Sequence, residues 1–317
     1  MDQVGNIVIG DSSAEFFLLH SDAASHIAGN LAWKSPLDEC AQGAKALSAF
    51  NSRHRLYGGQ PVTLLVPEKS YRRVNDEIAC TLASGKLPAR SFFELRNHLY
   101  MATPELVFLR AACHLPLGAL VALGVNLCAR YYVRLPEDEI TKRASFLTTP
   151  DKLRDYIEQA DFSRGREKAK KALPYIVTNS GSPEETRSWV QFTLPVRYGG
   201  FGLKFTHMNY PVNPERLANM VDKGWYELDM VSKELKFALE YDGAESHLDP
   251  GADKRRRNDL KVLGWDVYPI DSSVLYNPEK TKSTAEQLAK LMGTRIRYGK
   301  GWADAYAELR QSIGLPV

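Results

Sequence analysis

The sequence has few of the features that identify membrane, secreted or zinc-binding proteins. Its four cysteines form no CxxC pair and have no matching histidine cluster, so neither a disulfide framework nor a zinc site is predicted. The longest apolar run, LPLGALVALGVNLCA, has about 15 residues, fewer than the roughly 20 that cross a bilayer, and predicts a buried helix. No basic segment followed by a sustained apolar run begins the chain, so no secretory signal is predicted. Together these absences predict a cytoplasmic protein.

Charge and glycine content identify no partner either. The formal net charge of +3 is small, so a nucleic-acid surface requires basic residues that cluster locally. The glycine-rich segment RYGGFG has no Walker lysine after it, and it predicts a turn rather than a phosphate-binding loop. With 44% hydrophobic and 25% charged residues, the composition is that of a globular protein.

The length and a change in composition predict two domains. A chain of 317 residues is longer than most single hydrophobic cores support. A charged helical segment begins near residue 148, so we expect domains at 1–148 and 149–317. The first is predicted to be a mostly helical α/β domain. Thr103 before a proline has the pattern of a helix N-cap, and Val74, Ile78 and Leu82 are spaced as on one helix face.

The second half of the sequence predicts the order α, β, β, β, α, β. Ser182, with Glu185 three residues later, has the spacing of a capping box at a helix start. GWYELDMV and LKFALEYDG are predicted to be antiparallel strands joined by a tight SKE turn. ADKRRRNDLKVL predicts a helix ended by Gly264, and WDVYPI a last strand. Because that helix connects them, the last two strands are expected to be parallel.

Three acidic residues on two of these strands predict a metal site. Strand alternation places Glu240 and Asp242 on the face opposite the apolar residues of LKFALEYDG, and Asp229 on the matching face of the preceding strand. Three neighbouring carboxylates repel one another unless they share a cation. Oxygen ligands suit Mg²⁺ or Mn²⁺, which polarise a phosphate and activate water. The alternative is a solvated sheet face with its polar residues outward.

This pattern resembles the PD-(D/E)XK nuclease superfamily, and within it the branch related to very-short-patch-repair (Vsr) endonucleases. The resemblance covers about residues 180–271. It implies a restriction-endonuclease-like αβββαβ core with a mixed sheet, and metal-dependent hydrolysis of DNA, with duplex DNA the expected partner. The residues and motifs that carry it are SPEET, Asp229, EYDGAESH, Asp253, Arg256, Leu260 and GWDV.

The resemblance also implies roles for individual residues. Asp229 and Glu240 would be metal ligands, and Glu185 an auxiliary carboxylate on the first helix. His247, Asp253 and Arg256 would be part of the site or its frame. Two of these have a structural alternative. Glu185 is explained as well by its capping-box spacing, and His247 by a structural hydrogen bond in a loop.

One position departs from the pattern of the superfamily. Many active members have lysine two residues after the acid of the third strand, where this chain has Asp242. Arg256, on the helix stripe expected to face the sheet, is the best substitute cation in the sequence. The departure keeps a second function open, a catalytically inactive nuclease fold that binds DNA as a regulator or antitoxin.

The same helix carries a run of basic residues that predicts phosphate contacts. Three of them follow the spacing i, i+3, i+7 and would form one exposed stripe. The alternative is an ordinary solvated helix face. The predicted nucleic-acid-binding residues are Lys254, Arg255, Arg257 and Lys261.

The first domain shows a weaker resemblance, to N-terminal parts of AbiE-type antitoxins and related bacterial regulators. The segments that carry it are SSAEFFLLH and PELVFLRAACHLPLGALVALGVNLCARYY. It implies a bacterial defence or toxin-antitoxin setting, in which the first domain contacts a protein partner or DNA.

Overall fold

A computed structural model describes residues 5–41, 61–74, 76–83, 85–161, 164–243 and 250–317. The chain divides into two compact units. The first comprises the described residues of Met1–Leu115 and Leu127–Pro174, and the second comprises those of Pro116–Asn126 and Tyr175–Val317. The secondary structure is mixed α/β in both.

The strands and helices are numbered in chain order. The strands are β1 (Ile7–Ile9), β2 (Val62–Val66), β3 (Ile78–Leu82), β4 (Phe92–Arg96), β5 (Leu99–Ala102), β6 (Tyr131–Arg134), β7 (Glu139–Lys142), β8 (His207–Val212), β9 (Tyr226–Ser232), β10 (Phe237–Asp242) and β11 (Asp266–Asp271). The α-helices are α1 (Asp11–Leu19), α2 (Ala24–Gly29), α3 (Pro104–Ala111), α4 (Leu117–Leu127), α5 (Pro150–Gln159), α6 (Arg166–Ala172), α7 (Pro183–Thr193), α8 (Pro250–Val262), α9 (Ser272–Leu275), α10 (Pro278–Leu291) and α11 (Trp302–Ser312).

The first unit differs from the expected mostly helical domain because a five-stranded mixed sheet lies at its centre. The strand order is β3-β2-β1-β5-β4, and β6 and β7 form a separate hairpin. Val74, Ile78 and Leu82 were expected on one helix, yet the last two begin and end strand β3, in which Ile78 and Cys80 are buried. A spacing of four fits alternate positions of a strand as well as one face of a helix, so the pattern alone did not distinguish them.

The last division between the units falls between Pro174 and Tyr175, later than the expected boundary near residue 148, and the second unit also takes Pro116–Asn126 from within the first. Helix α5 belongs to the first unit because its buried residues pack there. The Tyr156 hydroxyl lies 2.6 Å from Ser91 Oγ in a buried hydrogen bond. The charged composition of this segment reflects its exposed face and did not mark a domain boundary.

From α7 to β11 the second unit has the element order that the sequence predicted, and three more helices follow. Its sheet has the order β11-β10-β9-β8, in which β8, β9 and β10 are antiparallel neighbours and β10 and β11 are parallel. Helix α8 packs on one face of this sheet and forms a core with residues of β8, β9 and β10. That core consists of Val212, Tyr226, Leu228, Val231, Ala238, Leu260, Leu263 and Trp265.

The C-terminal helices fix the position of α7. Arg310 of α11 is fully buried, and its guanidinium donates to Gln191 Oε1 of α7 at 2.8 Å and to the Leu275 carbonyl at 3.2 Å. Because a buried guanidinium needs partners for its donors, these bonds hold α7 to the end of the chain. The apolar run that predicted a buried helix forms α4, and no helix among the described residues is long and apolar enough to cross a membrane.

Candidate functional site

Helix α7 brings Glu185 to the site through its capping box. Ser182 Oγ accepts a hydrogen bond from the Glu185 backbone N–H at 3.1 Å, which confirms the predicted N-cap. The Glu185 carboxylate bends back and accepts a bond from the Gly181 N–H at 2.8 Å. The same oxygen, Oε2, also accepts a bond from the Asn209 side chain. Glu185 therefore caps its helix and, at the same time, lies against strand β8.

Strand β8 is bent at Asn209, which the sequence analysis did not identify. Its backbone has φ 46°, in the left-handed region that a non-glycine residue seldom occupies. Its buried Nδ2 also donates to the Asn179 carbonyl at 2.9 Å. Asparagine is one of the few residues that tolerate this region, so the Asn in HMNYPV was the available signal.

Strand β9 departs from regular alternation at the same level of the sheet. In a regular strand, residues three positions apart point to opposite faces. Leu228 and Val231 nevertheless lie in one core cluster with α8. The β9–β10 ladder extends from Phe237↔Ser232 to Leu239↔Met230. Beyond that pair, Asp229 Oδ2 accepts the Tyr241 backbone N–H at 2.8 Å. The Asp229 carboxylate therefore occupies a place that a ladder carbonyl would otherwise take.

Glu240 lies on the face of β10 that α8 covers. It is 7% exposed, and both of its carboxylate oxygens accept bonds from the Arg256 guanidinium. One of these bonds, from Nη2 to Oε1, measures 2.7 Å, and Nη2 also donates to the Glu227 carbonyl at 2.8 Å. The expectation that Arg256 faces the sheet is confirmed. Glu240 lies on the same face of β10 as Ala238, opposite the apolar residues of LKFALEYDG as predicted, and helix α8 covers that face.

The charges of three carboxylates meet at Asp229. Burial raises the pKa of Asp229 well above its usual value, and the negative charges of Glu185 and Glu240 raise it further. The Tyr241 N–H and the Arg256 guanidinium act in the opposite direction. One helix and two strands thus each contribute a carboxylate to a single cluster.

Arg256 is the cation beside this cluster. Burial disfavours its charge, but the hydrogen bond and the negative charge of Glu240 outweigh burial and raise the pKa of Arg256 above its usual value. Asp229 and Asp242 contribute in the same direction. Asp242 thus acts on the guanidinium, whereas Glu185 and Glu240 are the carboxylates that raise the pKa of Asp229. In the β10–β11 pairing, Asp242 lies opposite Asp271.

The donor chemistry of the cluster fits a hard divalent cation, with Asp229 at its centre. Within the described ranges, no group of three or more His, Cys, Asp or Glu side chains is arranged to hold a metal ion. The match between this cluster and a divalent cation therefore rests on the negative charge of its carboxylates. Asp229 lies among like charges that raise its pKa, and a divalent cation would relieve that repulsion. Arg256 already holds both oxygens of Glu240.

The predicted nucleic-acid-binding residues lie on α8. His247 lies outside the described residues, so its predicted role stays a prediction. Four basic side chains of α8 are exposed, which is compatible both with phosphate binding and with a solvated helix face. Arg255 lies 3.7 Å from Asp222 in an exposed ion pair, a contact that contributes little to stability. The four are Lys254, Arg255, Arg257 and Lys261.

Comparisons with known proteins add no relative. No protein-family model, no curated protein and no solved structure matches the chain.

Proposed function

We propose that the second unit is a phosphodiesterase acting on nucleic acid, a metal-dependent DNA endonuclease with a restriction-endonuclease-like core. The observation that supports this most is the convergence of Glu185, Asp229 and Glu240 from three separate elements, beside Arg256. A structural role for one such carboxylate is common. Two carboxylates that raise the pKa of a third, beside a strand residue with a left-handed backbone, are typical of a functional site.

Each residue has a distinct task in this proposal. Arg256 orients the Glu240 carboxylate by two charge-assisted hydrogen bonds. The Tyr241 N–H donates to Asp229 Oδ2 and orients that carboxylate. Asp229 and Glu240 would hold Mg²⁺ or Mn²⁺, which when bound polarises the phosphate and lowers the pKa of a water molecule. Glu185, held by Asn209 and Gly181, adds negative charge beside that position.

Helix α8 provides the surface that brings the phosphate backbone to this cluster. Lys254, Arg257 and Lys261 are exposed on the helix whose inner face carries Arg256. Lysine and arginine side chains that neutralise phosphates position nucleic acid without reading its sequence. The proposed contacts are therefore with the phosphate backbone of the nucleic acid, and they specify no target sequence.

A cleavage assay with a matched control tests the proposal. The purified chain is incubated with labelled single-stranded, duplex and nicked DNA in Mg²⁺ or Mn²⁺. We expect Asp229→Asn and Glu240→Gln, each of which removes a charged oxygen ligand of the proposed metal ion, to lower the cleavage rate by at least about 10²-fold. Glu234→Gln removes a carboxylate of the exposed β9–β10 turn and should cleave like wild type. If Asp229→Asn cleaves as fast as wild type, the cleavage activity belongs to another site or to a contaminant.

One observation favours a second function, binding without hydrolysis. Both Glu240 oxygens are engaged by Arg256, so Glu240 is satisfied without a metal ion. In that case the unit would be a regulator that uses the nuclease fold as a DNA-binding platform. A gel shift at two salt concentrations distinguishes the two. A salt-sensitive, metal-independent complex that Asp229→Asn does not alter, with no cleavage in either metal, would favour the platform.

A further inference from the structure

An open pocket lies at the beginning of β9, next to Arg256. Its volume is about 470 Å³, within the range of about 300–1,000 Å³ that is typical of small-molecule sites. Its lining combines an indole ring, a lysine and an arginine. The lining residues are Lys223, Gly224, Trp225, Tyr226, Glu227 and Arg256.

Trp225 is the unusual member of this set because it is 59% exposed. A tryptophan normally buries most of its large apolar surface. The other exposed tryptophan, Trp33, lies under the Arg90 guanidinium at 3.6 Å from the ring centroid. In the part of the chain that the structure describes, Trp225 has no comparable ring contact. Its indole face is therefore available to a ligand.

The loop that carries Trp225 is held in place by helix α8. The buried Asp259 carboxylate accepts a bond from the Tyr226 hydroxyl at 2.7 Å and from the Asp222 backbone N–H at 3.3 Å. The Tyr226 hydroxyl in turn accepts the Lys223 backbone N–H at 3.1 Å. These bonds fix the backbone on both sides of Trp225, so an exposed indole on this loop costs little conformational entropy when a ligand binds.

Arg256 connects the pocket to the carboxylate cluster. It lines the pocket, and its guanidinium holds Glu240 and the Glu227 carbonyl. Asp259 follows Arg256 by three residues, so the two lie on neighbouring turns of the same helix face. One residue of α8 thus anchors the Trp225 loop, and the other anchors the proposed catalytic carboxylate.

We propose that this pocket binds one unstacked base of a single-stranded nucleic-acid segment. The base stacks on Trp225, while Lys223 and the exposed cations of α8 contact the flanking phosphates. Aromatic platforms beside cationic grooves bind single strands in this way because every base has a π face. In a duplex both faces of a base are already stacked, and freeing one costs a few kcal/mol. The inference rests on the proposed nucleic-acid function and gives its substrate class, single-stranded rather than fully paired.

Binding measured without metal tests this inference independently of cleavage. A labelled single-stranded oligonucleotide and its blunt duplex are titrated in EDTA against wild type, Trp225→Leu and Trp225→Phe. Trp33→Leu removes the exposed tryptophan of the other unit and is the matched control. We expect Trp225→Leu to weaken single-strand binding about 5- to 140-fold, the equivalent of about 1–3 kcal/mol per stacked base. Trp225→Phe should retain most of the affinity, because a phenyl ring still stacks, and Trp33→Leu should bind like wild type.

The outcomes separate this inference from the proposed function. Equal affinity of wild type and Trp225→Leu for the single strand would overturn the inference, as would an equal loss for duplex and single strand. Trp225-dependent binding in EDTA, without cleavage in Mg²⁺ or Mn²⁺, would overturn hydrolysis and support the inference. Circular dichroism melting of Trp225→Leu confirms that the fold is intact, which is expected because the residue is exposed.

Discussion

The ion pair between Arg256 and Glu240 provides the most direct test of the site. Arg256→Met removes the guanidinium but retains an unbranched apolar side chain of similar reach. The change leaves the Glu240 carboxylate, 7% exposed, without its two charged donors, and it also removes the bond to the Glu227 carbonyl. We therefore expect Arg256→Met to destabilise the second unit.

The exposure of the two side chains sets the magnitude. Breaking a fully buried pair costs about 3–5 kcal/mol. The Arg256 side chain is 29% exposed, so water replaces part of the lost interaction and the expected cost falls to about 2–3 kcal/mol. At about 2–4 °C per kcal/mol, the Tm of the second unit should fall by about 4–12 °C. Glu240→Gln keeps one acceptor oxygen and should cost less, about 1–2 kcal/mol.

A double-mutant cycle measures the pair itself. Arg256→Met with Glu240→Gln leaves no buried carboxylate at position 240, so the double variant should be more stable than the sum of the single losses predicts. In a Trp33→Leu background the remaining tryptophans all lie in the second unit, so their fluorescence reports its unfolding in urea. Losses that add within about 0.5 kcal/mol would refute the ion pair. In that case the Arg256 guanidinium would not be held by Glu240 and could contact a phosphate.

Three further predictions concern the same unit. Burial raises the pKa of Asp229, so the wild-type protein should lose stability as pH rises from the ordinary carboxyl value of 3.8 through the raised pKa. Asp229→Asn lacks this titration, so in thermal melts across pH its stability relative to wild type should increase over the same range, by at most about 1.4 kcal/mol per pH unit. Ser182→Ala removes the cap of α7 and should cost about 1 kcal/mol in urea denaturation, and an unchanged midpoint would contradict the capping role. The third prediction replaces Lys254, Arg257 and Lys261 of α8 by glutamine. The slope of the logarithm of the DNA-binding constant against the logarithm of the salt concentration, measured by fluorescence anisotropy, should fall in magnitude by about 2–3. An unchanged slope would show that these side chains face solvent and contact no phosphate.

Local features of the second unit were predictable because neighbouring residues specify them. The Ser182 cap, the helix that ends before Gly264 and the strands of WDVYPI and LKFALEYDG follow from capping chemistry and apolar spacing. The parallel pairing of the last two strands followed from the helix that connects them. In the first unit the strands have only three to five residues, and their spacing suited a helix equally well.

The composition of the site was predictable only in part. Strand alternation identified Asp229 and Glu240 as residues of interest, and it assumed that β9 is regular. In the structure Leu228 and Val231 of β9 lie in one core cluster, and Asn209 of β8 has a left-handed backbone; at this level Asp229 accepts the Tyr241 N–H and Asn209 donates to Glu185. Neither feature has a sequence signal stronger than an asparagine within a strand.

The sequence by itself determined which segments form helices and strands from α7 to β11, and which residue types are available for chemistry. Only the tertiary structure decided that Glu240 pairs with Arg256 under α8, and that Trp225 stays exposed beside them. Capping and periodicity depend on residues a few positions apart. Burial, charge and ion pairing depend on residues distant in the sequence, such as Glu185, Asp229 and Arg256, which only the folded chain brings together.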